Sequence, residues 1–176
     1  MQAGAAQGPR PGHTIKLKGA SGLHCPNQGG WIDPTYRFLQ SLPTGPRTLL
    51  NMIYASAGGP GPMRDWQAFT AIANMLRWAI TPPGVSAALY RAAALIPRVR
   101  VIPHAVDILG RSGIGVQLAR RVPQQPPGAP HRQTLTWIFN PSTLLWMGET
   151  DGTVHGKLTG SVVLKRAIVD RLGQQP

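Results

Sequence analysis

Few residues in this sequence could do chemistry, and each sits in a pattern that a given reaction either needs or rejects. Gly110-Arg111-Ser112-Gly113-Ile114 sets a serine between glycines, as a nucleophile elbow does. Ile114, however, occupies the position where that sharp turn requires glycine. Gly113-Ile114-Gly115-Val116-Gln117-Leu118 opens like a dinucleotide-binding fingerprint, yet Leu118 replaces the third glycine and the segment reads as strand rather than helix start. A hairpin turn accounts for both. His13, His24, His104, His131 and His155 are scattered, and none shares helical spacing with another, so no metal site is expected. Cys25, the sole cysteine, excludes an intrachain disulfide and reads as a small loop side chain beside His24. The acids are Asp33, Asp65, Asp107, Glu149, Asp151 and Asp170. Of these, Asp107 and Glu149 flank two turns and could meet across a sheet near Arg111, an arrangement that reads as a structural ion pair. A hydrolase would have to work with Asp107 and Ser112. No catalytic residue, no cofactor and no enzymatic activity are expected.

The elements that would position these residues are legible from periodicity. Val99 to Ile108 is apolar and β-branched, and a turn follows at Leu109 to Gly113. Ile114, Val116 and Leu118 then alternate onto one face. Leu135 to Phe139 repeats the alternation, Asn140-Pro141-Ser142-Thr143 turns, and Leu144 to Glu149 returns. Asp151-Gly152 signals a further reversal, and Ser161 to Val169 reads as the last strand. Upstream, Thr44 suits an N-cap before Pro46, and Leu49, Leu50, Ile53 and Tyr54 form a helical stripe. Trp66, Phe69, Ile72, Ala73, Leu76 and Ile80 share a face of a second helix from Asp65 to Ile80. Val85, Leu89, Ala92, Ala93 and Ile96 mark a third, ended by Pro97.

The expectation is an α+β domain with two or three amphipathic helices, within about 46–96, packed on one face of an antiparallel β-meander at about 99–170. Residues 1–30 are expected as a flexible N-terminal segment and 31–176 as a single domain. Within 1–30, His13 to Leu17 could form one short strand. Trp31, Tyr36 and Phe38 read as anchors of a connecting loop, and 123–130 as an exposed Pro-rich excursion. Trp137, Phe139, Trp146 and Met147 either pack as core under the helices or line an apolar groove fit for a lipid tail.

Charge is lopsided: 18 Lys and Arg stand against 6 Asp and Glu, giving +12 in a chain of 176 residues. Such a balance raises nucleic acid or an anionic surface as partner. The basic residues are nevertheless spread singly, apart from Arg120-Arg121 and Lys165-Arg166, without interleaved aromatics. Specific nucleic-acid binding is therefore not expected. No apolar run of about 18 residues is present to span a bilayer, and the first residues lack the apolar core of a signal peptide.

Four segments carry a resemblance in series. They are Tyr36-Arg37-Phe38-Leu39-Gln40-Ser41-Leu42-Pro43-Thr44-Gly45-Pro46, Asp107 through Val116, Phe139-Asn140-Pro141-Ser142-Thr143 with Gly148-Glu149, and Ile168 to Pro176. Together they resemble the C-terminal extracytoplasmic domain of an uncharacterised actinobacterial family known by a locus-tag name. The resemblance implies a single-pass membrane-anchored protein, often encoded beside extracytoplasmic-function sigma factors, with a membrane or cell-envelope component as partner. It transfers no functional residue. The sequence departs from the pattern at Leu144, where glycine usually closes the turn, and at Gly45, where an acid is usual. The expected function is a non-enzymatic extracytoplasmic binding or sensory domain. The alternative is a cytoplasmic basic protein that binds nucleic acid or anionic surfaces.

Overall fold

The computed structural model describes residues 30–31, 34–56, 63–78, 80–122, 132–154 and 157–165. Apart from Lys165 these belong to one compact unit, Asn27–Leu164; a second unit gathers Met1–Pro26 with Lys165–Pro176. The strand expected at His13 to Leu17, the His24-Cys25 pair, the loop at 123–130 and the flexible segment before Gly30 lie outside the described residues.

Among the described residues four helices precede five strands: α1 (Tyr36–Gln40), α2 (Pro46–Ser56), α3 (Arg64–Trp78), α4 (Pro83–Ala94), β1 (Arg100–Val106), β2 (Ser112–Arg121), β3 (Arg132–Phe139), β4 (Trp146–Val154) and β5 (Lys157–Val162). The sheet is an antiparallel meander in sequential order, and the helices cover one of its faces, as the periodicity predicts.

Sequence reading missed α1, placing a loop there. Thr35 caps it, its hydroxyl accepting from the Phe38 amide at 3.2 Å. Trp31 meets Phe38 edge to face at 5.2 Å and both pack on the core, whereas Tyr36 is exposed. In the first hydrogen bond of helix α2 the Leu49 amide donates to the Gly45 carbonyl at 2.9 Å, one residue later than a Thr44 cap would give. Helix α3 stops at Trp78, so Ile80 leaves the predicted stripe and is exposed. In its place Ala68 and Met75 join Phe69, Ile72, Ala73 and Leu76 in the core.

The sheet departs from expectation at its end. Asp151-Gly152 does not reverse the chain: β4 runs through it with a shift of register against β5 between Thr150 and Gly152, and the reversal falls between Val154 and Lys157. Strand β5 therefore starts earlier than Ser161, and 166–169 lie outside the described residues. A second irregularity lies on β1, where Pro103 and His104 stand against Ile114 alone between the Ile102↔Gly115 and Ala105↔Gly113 pairs.

Glycines that mimic a phosphate-binding fingerprint have a packing reason instead. A Cβ on Gly113 would stand 2.5 Å from the Phe139 carbonyl oxygen and 2.8 Å from Ile138 Cγ2. One on Gly115 would stand 2.7 Å from Ala105 Cβ. Strands β1, β2 and β3 close on one another only because these side chains are missing. Gly113→Ala is expected to cost about 1–3 kcal/mol by forcing backbone apart, read as a lowered midpoint in urea unfolding.

Candidate functional site

Alternation along β2 and β3 decides which residues face away from the helices. Leu118, Leu135 and Trp137 point into the core, so their neighbours point out: Gln117 pairs with Thr136, Ala119 with Thr134, and Arg121 with Arg132. Strand β1 adds Arg100 opposite Gln117 on the same outer face. At this end of the sheet a cleft of about 460 Å³ is lined by Arg98, Arg100, Gln117, Ala119, Arg120, Arg121 and Arg132. Five arginines are among its lining residues, with no acidic and no aromatic residue. Gln117 donates to the Thr136 hydroxyl at 3.0 Å, and Ala119 is too short to fill the space between the charges.

Two of the arginines are held from behind. Arg120 lies over the Trp66 ring at 4.8 Å, and its Nε and Nη2 donate to Gln133 Oε1 at 2.8 and 2.6 Å. Arg98 has left-handed backbone, φ 68°, and reaches Asp65 Oδ2 at 3.5 Å. Asp65 also accepts from the Tyr54 hydroxyl at 2.9 Å, while Arg64 covers the Tyr54 ring at 3.9 Å. Burial, the hydrogen bond to Asp65 and the charge of Asp65 push the Tyr54 hydroxyl up to about 12, with Arg64 opposing. Arg100, Arg121 and Arg132 make no ion pair with any described residue. Arg121 and Arg132 are directly opposed across the strand pair, where like charges repel. A phosphate, sulfate or carboxylate between them would remove that repulsion and accept charge-assisted hydrogen bonds from both.

The aromatic residues singled out in the sequence sit elsewhere. Trp137, Phe139 and Trp146 are buried under the helices, Trp137 stacked on Phe69 of α3 at 3.8 Å and Phe139 edge-on to Tyr90 of α4 at 5.3 Å. Met147 is on the opposite face, its sulfur beside Ile138 where a Gly113 side chain would begin. The four thus line no common surface. The indole N–H groups of Trp137 and Trp146 are buried without an acceptor among the described residues.

Asp107 and Glu149 do not meet. The Asp107 side chain is 0% exposed, and its Oδ2 accepts from Arg111 Nε at 2.6 Å. Its Oδ1 accepts from the amides of Leu109 and Arg111 at 2.9 and 3.0 Å. Arg111 continues to the carbonyls of Met147 and Val163 at 3.2 and 3.4 Å, tying the β1–β2 turn to the ends of β4 and β5. Glu149 instead faces the helices and pairs with Arg77 of α3. Burial alone would raise the Asp107 carboxyl; the bonds from Arg111 and Leu109 and the Arg111 charge outweigh it and hold the group below the usual carboxylate range. Ser112 is exposed at the start of β2.

Comparison with models of known protein families, with curated proteins and with solved structures gave no match to this chain.

Both titrating groups give a pH signature of known sign. Asp107 binds its proton more weakly folded than unfolded, so its contribution is present above the ordinary carboxylate range and disappears as pH falls through its lower folded value. Asp107→Asn is expected to cost about 3 kcal/mol at pH 7 and to converge with wild type in acid, measured by urea unfolding across pH. Tyr54 binds its proton more tightly folded, so stability declines as pH rises from 10.0 towards about 12. Tyr54→Phe should flatten that alkaline slope.

Proposed function

We propose that this domain is a non-enzymatic binding module for an anionic ligand, taken between Arg121 and Arg132 in the cleft on the outer face of the sheet. One observation carries the reading. Arg121 and Arg132 are paired across neighbouring strands, both line the same cleft as Arg100, and no described carboxylate forms an ion pair with any of the three. Arginine presents a planar fork of donors that matches phosphate and carboxylate oxygens, so the arrangement favours an oxyanion over a simple halide.

The lining also limits the ligand. With no aromatic ring in the cleft there is no platform on which a base could stack, which disfavours sequence-selective recognition of a nucleic-acid strand. The described carboxylates with a stated partner support a binding rather than a catalytic role. Asp65 holds Tyr54 and Arg98, Asp107 holds the β1–β2 turn, and Glu149 holds α3. The cell-envelope setting implied by the family resemblance would supply anions of the right chemistry, in phosphate-bearing headgroups and polymers.

Titration of the protein with tripolyphosphate by calorimetry tests the reading. Binding should weaken as salt is raised, and Arg121→Ala or Arg132→Ala should each reduce affinity about tenfold or more. Without ligand, Arg132→Ala should melt no lower than wild type, because it removes a repulsion rather than a bond. Equal affinity in wild type and both variants would remove the cleft as the binding site.

A further inference from the structure

The cleft on the outer face is charged at both ends and neutral between them. Gln117, Ala119 and Arg121 alternate along β2 onto that face, and all three line it. Arg132 is paired with Arg121 at one end, and Arg100 with Gln117 at the other. The two rows are four residues of β2 apart, about 13 Å at the rise of an antiparallel strand. Between them Ala119 offers a methyl group and no charge. Arg98 is drawn back to Asp65, and Arg120 to Gln133 and Trp66. Among the lining arginines, those without a described ion pair or hydrogen bond from behind are Arg100 at one end and Arg121 with Arg132 at the other. A volume of about 460 Å³ is that of a site for a whole small molecule, and one phosphate cannot reach both rows.

Gln117 adds an observation of a different kind. The arginines of the lining can only donate, and Gln117 is the side chain there that can accept. Its amide nitrogen is committed to the Thr136 hydroxyl at 3.0 Å, and Thr136 is itself buried, so the amide is held by that edge. No described residue donates to the Gln117 carbonyl oxygen. An oxyanion pressed against that oxygen would set lone pairs against lone pairs. A hydroxyl there finds an acceptor for its proton.

We infer that the cleft takes a polyol bearing phosphate at two separate positions. One phosphate meets Arg121 and Arg132, the other meets Arg100, and the carbon chain crosses the Ala119 methyl. A hydroxyl beside the second phosphate donates to Gln117 Oε1. Inorganic polyphosphate matches the same lining less well. It carries charge on every unit, so one charge would lie over Ala119, and at neutral pH it has no hydroxyl for Gln117. The inference rests on the anion-binding reading of this cleft and adds what the anion is carried on.

Calorimetric titration of the full chain tests it with fructose 1,6-bisphosphate, fructose 6-phosphate and hexane-1,6-diol bisphosphate. The sugar bisphosphate should bind about tenfold tighter than the monophosphate, because the second phosphate is already held near its arginine once the first is bound. It should bind about fivefold tighter than the diol bisphosphate, which has both phosphates and no hydroxyl. Arg100→Ala should erase the advantage of the second phosphate and leave fructose 6-phosphate within about twofold of wild type, since the other end of the cleft is untouched. Gln117→Met should erase the preference for the sugar over the diol, with retained binding of the diol bisphosphate showing an intact cleft. The inference is overturned if wild type binds all three alike, or if either variant keeps the preference assigned to the residue it lacks. In that event the anion-binding reading still stands, provided that Arg121→Ala and Arg132→Ala weaken tripolyphosphate. Equal tripolyphosphate affinity in wild type and both those variants overturns the two together.

Discussion

Phe69 laid flat on Trp137, ring centroids 3.8 Å apart and planes 14° from parallel, is the contact on which the two layers depend. It joins the longest helix to the central strand of the sheet. Phe139 and Trp146 crowd the same indole from the side, and a stacked pair of this kind contributes about 0.5–1.5 kcal/mol beyond the area it buries. The N–H groups of both Trp137 and Trp146 are buried within this packing without an acceptor among the described residues. The Arg77–Glu149 pair fixes α3 a second time, against β4. With the helix layer anchored at both strands, the opposite face of the sheet is left to carry charge.

That outer face shows how a chain can look unremarkable in sequence and yet gather its charges in space. Arg98, Arg100, Arg120, Arg121 and Arg132 read one or two at a time along the chain, and that dispersal argued against a basic site. Register brings them together, because antiparallel pairing sets Arg132 opposite Arg121 across eleven positions of sequence and sets Arg100 beside Gln117. The layer architecture was legible because it needs only the local period, as in Ile114-Val116-Leu118 or Phe69-Ile72-Leu76. The cleft was not legible because it depends on which residue meets which, and period alone does not give that. Only the Arg120-Arg121 doublet was a signal.

The departure from the expected turn and the alternatives that sequence left open share a physical origin. Asp151-Gly152 carries turn chemistry, and Gly152 does take positive φ, 148°, but the chain spends it on a shift of register within β4 rather than on a reversal. Trp137, Phe139 and Trp146 are as apolar as a ligand groove would require, and sequence cannot say whether helices or a ligand will cover them. Leu144 shows the converse: nothing in its residue type signals that its backbone is left-handed, φ 56°.

Strand β1 is an edge of the sheet, yet it offers little to another chain. Pro103 has no amide proton to give, and the extra residue at Pro103-His104 bends the ladder just where a sixth strand would need straight, evenly spaced donors. Polymerisation by edge-to-edge growth is thereby discouraged on that flank, so the chain is protected there from recruiting its own copies into fibrils.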